Sequence, residues 1–455
     1  MWTEAENERH ECEDMRQGSV HGRDSFTTSG DCFATQKSLT IVGFVEGTRG
    51  RHVGIIGVPM ILSWAAERGI QAVLLVGGRG FPGWEQSVVS DISEAFGRHQ
   101  RKGTFGILTA KAWTTRWALS PSLLWSFRRV VQRADLVILN SLYSFPVLAG
   151  YFLARFYRKP YAIWPHGVLA PFIRKVSVKK KWIYNLLFAN RIIRNASVII
   201  YTAEGERKET AGLEFPVPSV IIPTGVDTAE FASLPERGRF RERFLGGEKG
   251  PLVLFLARLH AKKGLDILIQ AMREVVAERP DARLAIVGPP DPDSFHGQII
   301  DWIKEAGIES QTVVPGAAGP SMRLEAFADS DVYVLPSYEE NFGLSVFEAM
   351  ASGVPVIVSD TLNYAAEIAA SGAGLSVSRT PDSFAAAISA LLADRTRRQD
   401  MGICGRRLAH KYSPEETGSK VEQMVQSIVE GKAFPQGLAP VIPHRRPGKK
   451  THEQP

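Results

Sequence analysis

The chain has 455 residues, 44% hydrophobic and 22% charged, with 54 Lys+Arg against 48 Asp+Glu. That length holds two or three domains, each able to bury its own core, and the composition excludes a fibrous or wholly disordered chain. Three cysteines, Cys12, Cys32 and Cys404, form no C-x-x-C pair, which argues against a disulfide framework and fits a reducing compartment.

The opening "MWTEAENERHECED" is acidic where a signal peptide is basic and apolar. Residues 1–37 are polar and aperiodic, and read as a disordered extension. From residue 39, short β-branched runs alternate with helix-length amphipathic segments: LTIVGFV (39–45), AVLLV (72–76), DLVILN (135–140), PYAIWP (160–165) and SVIIYT (197–202). This alternation predicts βαβ units and a parallel sheet. The longest uncharged stretch, 136–154, contains Asn140, Ser141, Ser144, Pro146 and Gly150, so it reads as a buried strand and an apolar helix, not a membrane span.

Residues 39–230 carry 24 Lys+Arg against 12 Asp+Glu, so the rest of the chain is net acidic. Within them, "FIRKVSVKKKWIYNLLFANRIIRN" (172–195) interleaves cations with aromatic and aliphatic residues. Cationic stems covering apolar surface explain this equally well as peripheral contact with an anionic membrane or a polyanionic acceptor. Nucleic-acid motifs are absent, so no nucleic-acid partner is expected.

The segment 220–251 has turn residues and a charged helix but no apolar strand of its own. The alternation then restarts with PLVLFLARL (251–259), ARLAIVG (282–288), TVVPG (312–316), DVYVLPS (331–337) and VPVIVSD (354–360). Two such series predict an α/β chain of two facing, Rossmann-like, doubly wound domains, at 38–222 and 251–412, joined by a linker at 223–250. A C-terminal helix (413–432) and a disordered tail (433–455) follow. Ligands of such sheets bind beyond the strands' carboxyl ends, which makes the interdomain cleft the default site.

"SYEENFGLSVFEAMASGVPVIVSD" (337–360) places Glu340 and Glu348 eight apart. A retaining glycosidase pair needs its carboxyls about 5–5.5 Å apart, whereas eight helical residues span roughly 12 Å. No His or Asp at ligand spacing accompanies them. A clamp fits better: a loop with Glu340, a glycine (Gly343) that admits close backbone approach, and a helix start near Leu344 offering free N–H groups. Glu348, inside that helix, can accept two vicinal hydroxyls. Arg258 and Lys263, between a strand and a helix, place two cations where they can neutralise an anionic group.

"EENFGLSVFEAMASGVPVI" resembles the E-x7-E signature of the family 4 retaining glycosyltransferases, of GT-B fold. "VEGTRGRHVGII" (45–56), "WPHGVLAPF" (164–172), "IIPTGVD" (221–227) and "ARLHAKKGLDILIQA" (257–271) resemble further family segments in the same order, over about 39–430. The resemblance implies leaving-group compensation by Arg258 and Lys263, and placement of His166 beside the donor sugar. It also implies sugar and phosphate contacts from Glu340, Asn341, Phe342, Gly343 and Leu344, ribose binding by Glu348, and a nucleobase against the backbone near Val313 and Pro315. Gly47 is a candidate for close backbone approach in the first loop. Thr224 stands where the family commonly has Asn, and a β-branched residue tolerates a left-handed turn poorly. The D-x-D in "PPDPD" (Asp291, Asp293) is read as a loop, and no metal is expected as a cofactor.

The resemblance thus implies a retaining, hexosyltransferase-type enzyme moving a sugar from a UDP- or GDP-linked donor to a glycan or lipid-linked hydroxyl acceptor. Bacterial cell-envelope polysaccharide assembly is the expected setting, in the cytoplasm and peripherally at the inner face of the plasma membrane. Another GT-B enzyme (an epimerase or phosphorylase) or a non-catalytic sugar-nucleotide or partner-binding protein are the alternatives.

Overall fold

The computed structural model of the chain describes residues 39–47, 54–78, 105–111, 119, 121–169, 184–213, 215–291, 295–340, 342–435 and 438. The expected extension at 1–37, Asn341, Asp293 and most of the expected tail lie outside the described residues. The described residues belong to one compact unit.

The first strand series forms β1 (Thr40–Gly47), β2 (Gln71–Gly78), β3 (Phe105–Lys111), β4 (Leu136–Asn140), β5 (Tyr161–Trp164), β6 (Val198–Tyr201) and β7 (Ser219–Ile221). These make one sheet in the order β3-β2-β1-β4-β5-β6-β7, parallel throughout. The second series forms β8 (Leu252–Leu256), β9 (Arg283–Val287), β10 (Thr312–Gly316), β11 (Val332–Leu335), β12 (Val356–Ser359) and β13 (Gly374–Val377). Its order is β10-β9-β8-β11-β12-β13, again parallel. Both sheets reverse direction of winding beside their first strand, which leaves a crevice at the strands' carboxyl ends. Every residue of β4, β5, β6, β11 and β12 is buried. Helices on both faces demand such uninterrupted apolar runs.

The stretch 136–154 is strand β4 and the helix Phe145–Phe156. Among the described residues no helix is long and apolar enough to cross a membrane. The segment 220–251 is less bare than its sequence suggests: β7 ends inside it, and the helices Thr228–Ala232 and Arg239–Phe244 follow. Three residues are too few for periodicity to reveal a strand. β3 and β13 escape notice because Gly, Lys and Ser dilute their apolar pattern.

The chain returns to the first lobe at its end. The helix Pro414–Glu430 sends Val421, Met424 and Val425 into a cluster with Ile61, Leu62 and Trp64 of the helix Gly54–Glu67. At the edge of the second lobe's core, the backbone N–H of Val226 donates to the carbonyl of Tyr412 at 2.8 Å. The left-handed turn expected to strain Thr224 falls instead on Gly225, at φ +80°. A Cβ there would meet the Trp64 ring at 2.5 Å, so the turn requires glycine on steric as well as conformational grounds.

Candidate functional site

The carboxyl ends of the two sheets meet in a cavity of about 200 Å³. Its walls include His166, Gly167 and Glu206 from the first lobe, and Arg258, Lys263 and Glu340 from the second. Gly205 and Asn363 touch across it: a Cβ on Gly205 would meet Asn363 Oδ1 at 2.0 Å.

On the second lobe, β8 delivers Arg258 two residues past its end. Gly288, after β9, presses against the Ala257 carbonyl, where a Cβ would come within 1.8 Å. Arg258 Nη1 donates to Asp291 Oδ2 at 2.7 Å. The aspartate read as a plain loop residue is therefore a fixed partner of the first cation. His260 then caps the short turn Ala261–Lys263, accepting the Lys262 N–H on Nδ1 at 3.0 Å. Burial, and the neighbouring Arg258 after it, hold the His260 imidazole below its usual pKa.

Lys262 and Lys263 each meet an acid from the loop after β11. Lys262 pairs with Glu339 at 2.7 Å, and Lys263 with Glu340. Lys263 and Glu340 are both mostly buried, so this pair is screened little by solvent. A left-handed glycine closes each side: Gly264 (φ +70°) ends the lysine turn and Gly343 (φ +63°) starts the helix Leu344–Ala351. A side chain on Gly343 would run into the Tyr364 hydroxyl, 2.0 Å from its Cβ position.

The helix begins at Leu344, as its sequence predicts, but Phe342 does not offer its ring to the cleft. It is 4% exposed, stacked on Phe347 at 4.4 Å and packed beside Tyr364 and Tyr412. Its apolar surface is worth more in that cluster than against a polar ligand. Glu348 is likewise buried, and Arg323 Nη1 donates to its Oε1 at 2.9 Å. Burial raises its pKa, and Arg323 opposes that rise. Glu348, Phe342, Gly343, Leu344 and Val313 do not wall the cavity that holds Glu340. Val313 lies half-buried on β10, an edge strand whose register shifts before Gly316. Gly47 ends β1, in register with Gly78.

On the first lobe, His166 follows β5 in a left-handed conformation (φ +52°), and Ser141, after the adjacent β4, shares it (φ +73°). Non-glycine residues held there are sparsely populated and cluster at functional sites. Three contacts hold the His166 turn. Its ring stacks on Trp164 at 4.9 Å, and its Nε2 lies 3.3 Å from Asn140 Oδ1. Buried Glu206 accepts the Gly167 N–H at 2.6 Å, and the Thr202 N–H and hydroxyl at 2.8 and 2.7 Å.

Asn140 Nδ2 donates to the Phe44 carbonyl at 3.0 Å, so its Oδ1 faces the histidine. That assigns the proton to His166 Nε2 and leaves Nδ1 as an acceptor. Burial pushes the His166 pKa down to about 3. The ring at this site is neutral.

The sequence reading missed Asn140, Glu206 and Arg323. A polar residue closing the apolar run LVILN was a signal for Asn140, and "AEGERKE" directly after SVIIYT was one for Glu206. Nothing in the sequence links Arg323 to Glu348.

A larger cavity, of about 630 Å³, opens at the amino ends of the second sheet's strands. It is lined by Arg237, Arg241, Arg279 and Arg398, but these guanidiniums are committed to backbone carbonyls and Asp331.

Two parallel, doubly wound lobes with charged loops at their facing strand ends define the GT-B class. Solved structures share that fold. One is the Anabaena protein HepE in complex with UDP and glucose (TM-score 0.67, 18% identity, 86% of this chain and 100% of that one). Another is sucrose-phosphate synthase from Thermosynechococcus elongatus (TM-score 0.65, 19% identity, 87% and 100%). The family model described as "Glycosyltransferase Family 4" matches residues 61–230, and "Glycosyl transferases group 1" matches 236–408. The chain belongs to glycosyltransferase family 4.

Curated relatives include a D-inositol 3-phosphate glycosyltransferase of Kineococcus radiotolerans, 27% identical over 55% of this chain and 61% of that protein. A GDP-mannose-dependent alpha-(1-6)-phosphatidylinositol monomannoside mannosyltransferase of Mycolicibacterium smegmatis is 32% identical over 48% and 59%. The chain thus spans about three fifths of the length of these relatives.

Proposed function

We propose that the protein is a retaining glycosyltransferase that moves a sugar from a nucleotide-diphosphate donor to a hydroxyl acceptor. The observation that carries this is the convergence of Arg258, Lys263 and Glu340 from one lobe with neutral His166 from the other around one cavity. Two cations, each tethered to an acid, are held ready for a departing diphosphate, where charge compensation lowers the barrier most. Glu340, anchored by Lys263, is suited to accept sugar hydroxyls. His166 touches the donor sugar and acts by position, since a ring with its pKa near 3 does not carry a proton at neutral pH.

The acceptor oxygen attacks the anomeric carbon from the face the diphosphate leaves. The carbon–phosphate oxygen bond breaks as the new glycosidic bond forms, and the acceptor proton passes to the leaving phosphate oxygen. Retention by this route follows from the family resemblance. Asn341, Gly343 and Leu344 would meet donor phosphate or sugar through the loop and helix start, Glu348 the ribose, and Gly47 and Val313 the donor by their backbones. Charge compensation by side chains needs no metal.

The acceptor is proposed to be lipid-linked or membrane-presented. Residues 136–203 hold ten Lys/Arg and no Asp/Glu. Phe152 and Phe156 are exposed one turn apart on the helix Phe145–Phe156, and Leu186 and Leu187 are exposed a few residues before Arg191 and Arg194. The Phe152 ring meets Phe188 at 6.4 Å, which joins the two segments into one surface. Exposed apolar side chains in a segment whose sequence is rich in cations suit an anionic bilayer. Two relatives act, by name, on inositol phosphate or phosphatidylinositol glycosides, which agrees with a phosphate-bearing acceptor in envelope polysaccharide assembly.

The test is turnover of UDP- and GDP-sugars with and without envelope lipid extract, beside flotation with vesicles containing anionic lipid. Transfer of sugar to a lipid-extractable product, and flotation lost in 0.5 M salt (about a 4 Å screening length), are expected. Donor turnover independent of any acceptor would sink the transferase reading.

A further inference from the structure

Arg323 lies on the helix Pro320–Asp329, between two carboxylates from distant parts of the chain. Its Nη1 donates to Glu348 Oε1 at 2.9 Å, and its Nη2 to Glu230 Oε1. Glu230 sits on the helix Thr228–Ala232, which follows the segment joining the lobes and is capped by Asp227. The guanidinium also lies over the ring of buried Phe231, 5.3 Å from its centroid.

One guanidinium is thus fixed by two carboxylates and an aromatic face, a geometry that lysine cannot copy. The arrangement leaves two groups unused. Among the described residues no donor meets Glu348 Oε2, and the Arg323 Nε–H is buried without an acceptor. Buried donors in folded proteins find partners, from water or from ligand, and a hydroxyl group both donates and accepts.

We propose that Arg323 is the positioning residue for nucleotide recognition: it occupies one oxygen of the Glu348 carboxylate and leaves the other for the vicinal hydroxyls of the donor ribose. The proposal rests on the reading of Glu348 as the ribose carboxylate. Arg323 has a second task, to keep Glu348 ionised. The groups facing this carboxylate are Arg323 and, across it, Glu230, while Asp227 acts on Arg323 and Tyr333 stands on β11 nearby. Arg323 is the only cation among these, so without it burial favours the protonated acid.

The experiment measures UDP and GDP affinity, with their 2′-deoxy analogues, from pH 6 to 9 for the full chain and its variants. For the nucleotide that binds, the parent is expected to prefer the ribonucleotide at a near-constant ratio across this range. Arg323→Met should weaken ribonucleotide binding at least tenfold at pH 6.5, recover part of it as pH rises, and lose most of the preference over the deoxy form. Glu348→Gln should show the same loss with no pH dependence.

Parental affinity and a flat pH profile in Arg323→Met, with Glu348→Gln impaired, overturn the role of Arg323 and leave the ribose reading standing. No loss in Glu348→Gln overturns the ribose reading itself. If Arg323→Met fails to fold, Arg323→Lys decides. A single ammonium should cost threefold or more with the same pH trend, and parental behaviour would overturn the proposal.

Discussion

The two lobes carry their functional groups to the cleft by different physical means. The second lobe turns sharply on glycines, Gly264, Gly288 and Gly343, and holds its charges as cation–acid pairs. The first lobe places non-glycine residues, Ser141 and His166, in left-handed backbone and supplies a neutral ring. One side presents paired charges, and its turns are conformationally cheap. The other stores backbone strain, overcome by Glu206, Asn140 and Trp164, to fix one side chain. The difference predicts that cation changes on the second lobe strike the reaction, whereas changes at the His166 turn strike stability and geometry first.

The largest effect is expected from Lys263→Ala. Removing a charge aimed at the leaving group should lower kcat/KM by about 10²–10³-fold, with secondary structure retained by circular dichroism. A loss under threefold would move leaving-group compensation elsewhere.

Gly343→Ala comes next. A left-handed alanine costs about 1–3 kcal/mol, and its methyl collides with the Tyr364 hydroxyl. That hydroxyl has no hydrogen-bond partner among the described residues, so Tyr364→Phe should be neutral or mildly stabilising. In the double variant it should recover part of the Gly343→Ala loss. Additive denaturation midpoints would show that the two positions do not touch.

The smallest effect is the acid dependence at His166. Its pKa is about 3 in the folded protein, so below pH 6.5 the unfolded chain takes up a proton that the folded one does not, and stability falls as the pH is lowered. His166→Asn keeps a residue that tolerates left-handed backbone. Denaturant titrations between pH 6.5 and 4.5 should therefore show a shallower decline for the variant than for the parent. Equal slopes would mean that the ring titrates normally.

Much of this was legible along the chain. Runs such as LTIVGFV, DLVILN and VPVIVSD are apolar on both faces, a pattern that only a helix-covered parallel sheet accommodates, so the two-sheet fold could be read directly. The helix start after Gly343 and the turn after Arg258 were visible because glycine and charge mark strand-to-helix loops. The packing of the Phe342 ring was not legible, since loop position does not reveal which way a ring packs.

Local sequence thus determined the elements, their order and the kinds of residue at the strand ends. Tertiary structure alone decided which acid meets which cation. Lys263 and Glu340 are 77 residues apart, Arg323 and Glu230 are 93 apart, and no periodicity reaches so far. Such pairings depend on where two sheets place their loops in space, and the neutral state of His166 depends on how much water that placement removes.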